Sequence, residues 1–282
     1  KEIEKRGYML MTKEVLSEFA ELIRENKCNP YSGNLKTGVD LGTANIVIAV
    51  TDEDNHPVAG ATAVSKVVKD GIVVDFVGAM QTVRRLKAQL EELLGVTLET
   101  AATAVPPGIM DGNVKCISNV VEGAGFEVIN VIDEPTAAAS VLEITDGAVV
   151  DVGGGTTGIS ILKDGKVIFT ADEPTGGTHM TLVLAGYYGI PIEEAEKLKK
   201  DKDKENDVFP IIKPVVEKMA SIVKRFLSGY DVDCVYVVGG ASCFDEFEQT
   251  FEKALGITTV KTNDALLVTP LGIAWNAAAD CA

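Results

Sequence analysis

Two segments of the sequence combine an aspartate, a glycine turn and a threonine, a set of groups that suits a metal-bound phosphate. The segments are VDLGTAN around Asp40 and VDVGGGTT around Asp151. Glycines let backbone N–H groups approach a phosphate closely, and a threonine hydroxyl adds a neutral donor. One like-charge pair about 4 Å apart costs about 4 kcal/mol at an effective dielectric constant of roughly 20, so the two aspartates need a cation beside a polyphosphate. Mg²⁺ suits this role, because it keeps most of its waters and bridges phosphate oxygens.

Two simpler interpretations of these turns remain open. Glycine also favours tight hairpin turns, and an aspartate can cap its own turn. A single copy of the motif would favour a plain hairpin, whereas two matched copies favour a shared phosphate site. Other nucleotide-binding motifs fit worse, because the sequence has no GxxxxGK[ST] and both turns are followed by strand patterns instead of helix patterns.

The segments around the two turns repeat one order of elements. In VDLGTANIVIAV and VDVGGGTTGISIL a strand ends at the aspartate, and a second strand follows the turn. This internal duplication predicts two similar lobes that face one cleft. We expect a helix and linker at residues 1–36, a first lobe at 37–146 with a small insertion at about 57–95, and a second lobe at 147–282 with a helical insertion at about 178–233.

Four helices are predicted in the first half of the chain, and the last two of them lie near residues 112–122 and at EPTAAASVLE. Apolar residues at helical spacing among charged ones predict an amphipathic helix over residues 12–27, and a second helix is expected at residues 82–94. The apolar stripe of the first helix either packs on its own domain or binds a microcompartment shell or cargo protein.

The second half of the chain contains three ambiguous helical segments. Pro210 and Pro214 are expected to restrict regular helix within residues 207–227 to the part that follows them. Ser242 and Asp245 have the spacing of a capping box. The charged stretch EEAEKLKKDKDKEND is expected to be a solvated helix end and loop.

Composition and charge argue against several classes of protein. The formal net charge of −16 disfavours nonspecific binding to nucleic acid or to an anionic membrane. The five cysteines are scattered and form no CxxC pair, so neither a disulfide framework nor a zinc site is predicted. No apolar run approaches the ~20 residues of a membrane span, and no signal peptide is recognised. We expect a cytoplasmic protein.

The motifs together resemble the actin, heat-shock chaperone and sugar-kinase ATPase superfamily, in which two duplicated ribonuclease-H-like lobes surround a cleft for Mg-ATP. VDLGTAN and VDVGGGTT resemble its two phosphate motifs, DEPTAAA its first connecting motif and VVGGASCFDEF its adenosine motif, while LGIAWNAAA occupies the place of the second connecting helix. Two segments, KDGIVVDF and AVPPG…DEPTAAA, are especially similar to the bacterial cell-shape actin MreB and to DnaK-type chaperones. The stretch from FAELIRENKC to NIVIAV resembles the EutJ family, which is associated with ethanolamine utilisation and bacterial microcompartments and is described as chaperone-like.

The resemblance implies an α/β, actin-like ATPase fold and a role for each matching residue. Asp40 and Asp151 would hold hydrated magnesium, and Glu134 would position the metal or the attacking water; these three are the implied catalytic residues. Glu196 and Lys197 would lie near adenine or ribose. The other residues implied to bind ATP or ADP are Gly42, Thr43, Ala44, Asn45, Gly153, Gly154, Gly155, Thr156, Gly176, Gly177, Gly239, Gly240 and Ala241.

Departures from the superfamily pattern imply slow hydrolysis. Asn113 stands where MreB-like proteins carry a water-orienting glutamate, and an amide accepts a proton poorly. The catalytic lysine of the chaperones has no clear counterpart, with Lys66, Lys69 and Arg84 as unplaced candidates. Cys243 stands where chaperones carry an adenine-stacking arginine.

These features favour a chaperone-like protein that binds Mg-ATP and acts as a slow ATPase or a nucleotide-gated switch in ethanolamine utilisation. Its expected partners are ATP and a protein client or a microcompartment shell or enzyme protein. The alternatives are an actin-like filament or scaffold protein of a microcompartment and, less favoured, a small-molecule kinase.

Overall fold

The computed structural model describes residues 2–69, 71–262 and 264–277. Helices and strands alternate along most of this length. The strands in chain order are β1 (Lys36–Leu41), β2 (Asn45–Thr51), β3 (Pro57–Val64), β4 (Val68–Lys69), β5 (Ile72–Val73), β6 (Thr100–Val105), β7 (Glu127–Asp133), β8 (Gly147–Val152), β9 (Thr157–Lys163), β10 (Lys166–Glu173), β11 (Cys234–Val238) and β12 (Thr258–Lys261).

Helices cover the faces of the sheets and connect the parallel strands. Among the residues described, none of these helices has the length and hydropathy needed to cross a bilayer. The helices in chain order are α1 (Glu2–Glu25), α2 (Phe76–Leu94), α3 (Asp111–Gly123), α4 (Glu134–Leu142), α5 (Gly177–Tyr188), α6 (Ile192–Lys200), α7 (Glu205–Phe226), α8 (Phe247–Leu255) and α9 (Val268–Trp275).

The two large sheets have the same topology. Their strand orders are β3-β2-β1-β6-β7 and β10-β9-β8-β11-β12. In the first sheet β1 is antiparallel to β2 and parallel to β6, and in the second sheet β8 is antiparallel to β9 and parallel to β11. Each strand of one sheet therefore has a counterpart in the other, and the predicted α/β fold with an internal duplication is confirmed.

The two aspartates occupy equivalent positions at the carboxyl ends of the central strands. Asp40 is the penultimate residue of β1 and pairs with Val47, and Asp151 is the penultimate residue of β8 and pairs with Gly158. Every residue of β8 is buried, as expected for a strand in a sheet that is covered on both faces. The duplicated strands thus place each carboxylate at the carboxyl-end edge of its own sheet.

Helix α1 packs its apolar stripe against β3 of the same chain. Leu16 and Phe19 are fully buried. Gly60 in β3 permits this approach, because a Cβ atom at that position would lie 2.5 Å from the ring of Phe19. Of the two predicted roles for this stripe, the structure shows packing on the chain's own domain.

Three helices are longer than their sequence patterns predicted, and the first of them, α1, begins at Glu2 instead of residue 12. Helix α2 begins at Phe76, six residues earlier than expected, because the carboxylate of Asp75 accepts a hydrogen bond from Gly78 N at 2.9 Å and caps the helix. Helix α7 continues through Pro210 and Pro214, so the predicted restriction was wrong. Both prolines are exposed, so water can hydrate the carbonyl groups that they leave unpaired, while the opposite face of the helix is buried.

The predicted capping box at Ser242 was also wrong. Ser242 lies in a 3₁₀ turn directly after β11, and its hydroxyl donates to the carbonyl oxygen of Gly239 at 2.8 Å. Helix α8 begins only at Phe247. The serine therefore stabilises the Gly-Gly turn instead of the helix.

Helix α9 packs backbone to backbone between α4 and β1. A Cβ atom at Gly272 would lie 1.9 Å from the carbonyl oxygen of Ala137, and one at Gly38 would lie 2.3 Å from the backbone nitrogen of Ala274. Larger side chains at either glycine would force these elements apart. This close packing fixes the first turn of α9 near the end of β8, where the candidate site lies.

Candidate nucleotide site between the two sheets

A cavity of about 290 Å³ lies between the carboxyl ends of the two central strands and is lined by both halves of the chain. Its volume is at the lower end of the range typical of small-molecule sites. The predicted site residues that line it are Asp40, Gly42, Thr43, Ala44, Asn45, Glu134, Asp151, Gly153, Gly154, Gly155, Thr156, Gly177, Glu196, Gly239, Gly240 and Ala241.

The two glycine turns face each other across this cavity. A Cβ atom at Gly154 would lie 3.1 Å from the Cβ atom of Ala44 and 3.3 Å from that of Thr43. The turn after β1 and the turn after β8 are therefore in close proximity, although more than 100 residues separate them in sequence. A phosphate chain between them would meet backbone N–H groups and threonine hydroxyls from both sides.

The second turn is braced by the start of α5. Gly177 N donates to the carbonyl oxygen of Gly153 at 2.9 Å, and Thr178 N donates to that of Gly154 at 2.7 Å. Gly176 supports the turn from outside the cavity lining, since a Cβ atom there would lie 2.7 Å from the Gly153 carbonyl oxygen. The N–H of Gly176 also donates to Nδ1 of His179 at 3.2 Å, which gives this histidine a local role at the helix start.

Three acidic side chains share the floor of the cavity. Burial, together with the charge of Asp151, raises the pKa of Asp40 from 3.8 to about 7. Burial and the charges of Asp151 and Asp40 raise the pKa of Glu134 well above its usual value. Burial also raises the pKa of Asp151, although the hydroxyl of Thr269, which donates to Asp151 Oδ2 at 2.6 Å, opposes this effect. The floor therefore carries more negative charge than its surroundings compensate, which favours a bound cation.

The acidic residues fit magnesium held through water. Among the residues described, no group of three or more His, Cys, Asp or Glu side chains is arranged to hold a metal ion directly. Mg²⁺ does not require such a cage, because it keeps several waters and binds one or two carboxylates together with phosphate oxygens. The oxygen donors of Asp40, Glu134 and Asp151 match that preference.

A glycine at the other end of the cavity allows the chain to pass the acidic floor. Gly239 has φ of +89°, a conformation that L residues rarely adopt. A Cβ atom there would lie 2.3 Å from Asp151 Oδ1. Gly240, Ala241, Phe244 and Leu266 continue this wall away from the carboxylates, and they give that end of the cavity an apolar surface suited to a base.

The structure corrects the placement of Lys197. This side chain is exposed and lies outside the cavity, whereas Glu196 and Lys199 line it. Lys199 Nζ donates to Glu196 Oε2 at 2.7 Å, to Thr181 Oγ1 at 2.7 Å and to the Gly177 carbonyl oxygen at 3.0 Å. Burial lowers the pKa of Lys199, and the charge of Glu196 opposes this effect. The signal was present in the sequence, because residues three apart share a helix face and adjacent residues do not.

Lys202 also lines the cavity, and its side chain is exposed, as expected for the charged stretch around it. Its Nζ contacts Glu205 Oε2 at 2.6 Å, Asp245 Oδ1 at 3.3 Å and the carbonyl oxygen of Cys243 at 3.3 Å. These contacts tie the segment after α6 to the turn after β11 and close the apolar end of the cavity.

Among the departures from the superfamily pattern, Cys243 lines the cavity, whereas Asn113 and the three candidates for a catalytic cation lie outside its lining. Asn113 is in the first turn of α3, and Ile117, one turn further along, lines the cavity in its place. Lys66 Nζ instead contacts Glu193 Oε1 at 3.4 Å, and Arg84 donates to the carbonyl oxygen of Gly123 at 2.5 Å. None of the three cations proposed as a catalytic lysine lines the described cavity.

Two family profiles match the chain. The profile of the MreB/Mbl protein family matches residues 57–201, about half of the chain, and that of the type IV pilus assembly protein PilM matches residues 137–267. The chaperone protein DnaK of Akkermansia muciniphila is 30% identical over 175 residues, which cover 58% of this chain and 27% of that protein. These matches come from several branches of one superfamily.

Structural comparison gives the same fold. The crystal structure of MreB5 of Spiroplasma citri bound to AMPPNP superposes with a TM-score of 0.70 at 16% identity and covers 86% of this chain and 95% of that one. At that identity the likeness shows the fold alone. A chain of a PilM–PilN type IV pilus biogenesis complex superposes with a TM-score of 0.72 at 14% identity.

Much stronger matches come from one family. The ethanolamine utilization protein EutJ of Salmonella typhimurium is 45% identical over 238 residues, which cover 84% of both chains, and that of Escherichia coli is 44% identical over the same length. The crystal structure of EutJ from Carboxydothermus hydrogenoformans superposes with a TM-score of 0.90 at 50% identity and covers 95% of this chain and 98% of that one. The chain therefore belongs to the EutJ family of ethanolamine utilization proteins, which has the actin-like ATPase fold.

Proposed function

We propose that this chain binds Mg-ATP between its two glycine turns and acts as a nucleotide-gated, chaperone-like protein in ethanolamine utilisation. The observation that carries this proposal is the convergence of two duplicated Asp-glycine turns on one cavity. The acidic floor of the cavity would bind the magnesium ion, and the apolar wall beyond Gly239 would contact the base of the nucleotide. A phosphate chain joins the two regions.

Different residues of this chain would contact the magnesium, the phosphates, and the sugar or base. Asp40 and Asp151 would accept hydrogen bonds from the waters of magnesium, which would supply positive charge beside the phosphates. Gly42, Thr43 and the turn from Gly153 to Thr156 would donate to phosphate oxygens. Glu196 and Lys199 would contact the sugar or base, since both line the cavity next to Gly177. The charge of bound magnesium would lower the pKa values of the acidic residues and keep them ionised.

Hydrolysis is proposed to be slow. Glu134 is the acidic residue on the cavity floor that the magnesium contacts leave available, and it would orient the attacking water. No lysine among the described residues stands beside it in the position expected for stabilising the transferred phosphate, and Asn113 lies outside the cavity. A well-placed general base contributes about 10²–10⁴-fold to a reaction rate, so a site whose catalytic groups are incompletely positioned hydrolyses ATP slowly. The bound nucleotide would then act mainly as a ligand that controls how the two lobes are arranged relative to each other.

Membership of the EutJ family supports the proposed partners. Relatives named for ethanolamine utilisation support a role in that process, and we propose a protein client or a microcompartment shell or enzyme protein as the cytoplasmic partner. Similarity to the MreB/Mbl profile favours a filament-forming scaffold as the alternative. Sedimentation with and without Mg-ATP separates the two, since only the filament predicts nucleotide-dependent pelleting.

Calorimetric titration of ATP with and without Mg²⁺ tests the binding site. Magnesium should strengthen ATP binding to the wild type at least about tenfold, or 1.4 kcal/mol, because it offsets repulsion of several kcal/mol between the carboxylates and the phosphates. Asp40→Ala and Asp151→Ala should lose that gain, whereas Asp54→Ala, on an exposed turn, should keep it. Equal magnesium dependence in all four proteins would contradict the proposed site.

A further inference from the structure

The two aspartates of the duplicated motif have different surroundings. Asp151 is 7% exposed, and its Oδ2 accepts a hydrogen bond from Thr269 Oγ1 at 2.6 Å. Asp40 is only partly buried, and no side chain in the described part of the structure donates a hydrogen bond to it. One half of the carboxylate pair is therefore held by a fixed donor and the other half is not.

The donor belongs to a helix that cannot shift freely. Thr269 is 4% exposed and lies in the first turn of α9. Helix α9 packs against β1, β2 and β6 of the first sheet and against α4, and the close contacts of Gly38 and Gly272 leave no space between the backbones. Asp151, in contrast, belongs to β8 of the second sheet. The Thr269–Asp151 hydrogen bond thus connects the acidic group of one sheet to a helix seated on the other.

We propose that Thr269 is a positioning residue of the magnesium–nucleotide site, which orients the Asp151 carboxylate before the ligand arrives and ties it to α9. This inference rests on the proposed function. Because Oδ2 is occupied by the threonine hydroxyl, Oδ1 remains to accept a hydrogen bond from a water of hydrated magnesium. A hydroxyl in this place is also neutral, so it fixes the carboxylate without competing with the cation for its charge.

The expected size of the loss in magnesium dependence can be taken from other metal sites in which a neighbouring group orients a metal-binding side chain. Loss of a group that orients a metal-binding side chain typically weakens metal affinity by about 10–100-fold. We expect Thr269→Val, which has nearly the same shape but no hydroxyl, to reduce the strengthening of ATP binding by Mg²⁺ about tenfold. ATP affinity measured without magnesium should stay within about threefold of wild type, since Thr269 acts through Asp151.

A matched control separates positioning from the general loss of a buried hydrogen bond. Thr103 is also fully buried, and its hydroxyl donates to the carbonyl oxygen of Val39 at 2.9 Å in the neighbouring sheet. Thr103→Val removes a comparable hydrogen bond that does not involve a carboxylate. Thr269→Ser keeps the hydroxyl and removes only a methyl group, so it should retain wild-type magnesium dependence within about threefold.

The experiment is a calorimetric titration of ATP over a series of Mg²⁺ concentrations with wild type, Thr269→Val, Thr269→Ser and Thr103→Val, each checked for cooperative thermal unfolding. Selective loss of magnesium dependence in Thr269→Val supports the inference. An equal loss in Thr103→Val, or no loss in Thr269→Val while wild type responds to magnesium, overturns it and leaves the proposed function standing. If Thr269→Val does not fold, a tenfold loss in Thr269→Ser overturns the inference and retention supports it. A wild type that binds no Mg-ATP overturns both.

Discussion

Replacing Asp40 with asparagine should stabilise the protein when no nucleotide or magnesium is present. The change keeps the shape of the side chain and removes a charge that lies beside Asp151 and Glu134 on the cavity floor. When no cation is bound, the neighbouring acidic groups of the site repel one another. Stability and ligand binding therefore oppose each other at this residue.

The pH dependence has a definite sign. The pKa of Asp40 is raised from 3.8 to about 7, so between these values the folded protein binds a proton that the unfolded chain has released. The free energy of unfolding of the wild type therefore falls as the pH rises through this window. The full difference corresponds to about 4 kcal/mol. Since Asp40 is partly in contact with water, we expect Asp40→Asn to gain about 1–3 kcal/mol at pH 8, and much less near pH 4.

Urea denaturation at pH 5 and pH 8, in buffer with a chelator and without nucleotide, measures this gain. Asp54→Asn removes an exposed carboxylate and should change the free energy of unfolding by less than about 0.5 kcal/mol at either pH. Saturating Mg-ATP should then stabilise the wild type more than Asp40→Asn. A variant that is less stable than wild type at pH 8, or whose gain is the same at both pH values, would refute the electrostatic reasoning.

Three further substitutions test other parts of the site. Lys199→Met should lower the free energy of unfolding by about 1–3 kcal/mol in denaturant titrations, because it removes the buried cation from Glu196 and leaves that carboxylate with the exposed Lys200 and the Thr181 hydroxyl, and Lys197→Met on the same helix should have almost no effect. Gly239→Ala should cost more than about 3 kcal/mol, because its Cβ atom would overlap an acidic oxygen, whereas Gly229→Ala should show only the cost of about 1–2 kcal/mol for positive φ. Glu134→Gln should slow ATP turnover at least about tenfold in a phosphate-release assay while Mg-ATP affinity stays within about threefold.

For each of these three predictions, one result would contradict the reasoning. Equal effects of the two lysine substitutions would remove the distinction between the faces of α6. A Gly239→Ala protein as stable as Gly229→Ala would show that the turn after β11 does not need its close approach to Asp151. Unchanged turnover in Glu134→Gln would show that Glu134 does not orient the attacking water in any hydrolysis that the chain performs.

The duplicated motif was visible in the sequence because both halves use the same local pattern. A buried strand, an aspartate, a glycine turn and a returning strand are contiguous in each copy, and the strands around Asp40 and Asp151 therefore form where the pattern predicts them. The fold class follows from the repeat, since equivalent strands form equivalent sheets. Local patterns of this kind require no knowledge of distant contacts.

Other features depend on packing that a local pattern does not record. Thr269 contacts Asp151 across 118 residues, and nothing in VTPLG marks it as a partner. Pro210 and Pro214 disfavour helix locally, but the buried face of α7 determines its length. Lys199 is a different case, because its spacing of three residues from Glu196 marks it in the sequence as a neighbour on the same face of α6, whereas Lys197 lies on another face.

A crystal structure of the chain with Mg²⁺ and a non-hydrolysable ATP analogue tests the central claim most directly. The account predicts phosphate oxygens in contact with the turns after both Asp40 and Asp151, with a hydrated magnesium ion between the two carboxylates. A nucleotide bound elsewhere, or phosphates that touch only one of the two turns, would contradict it.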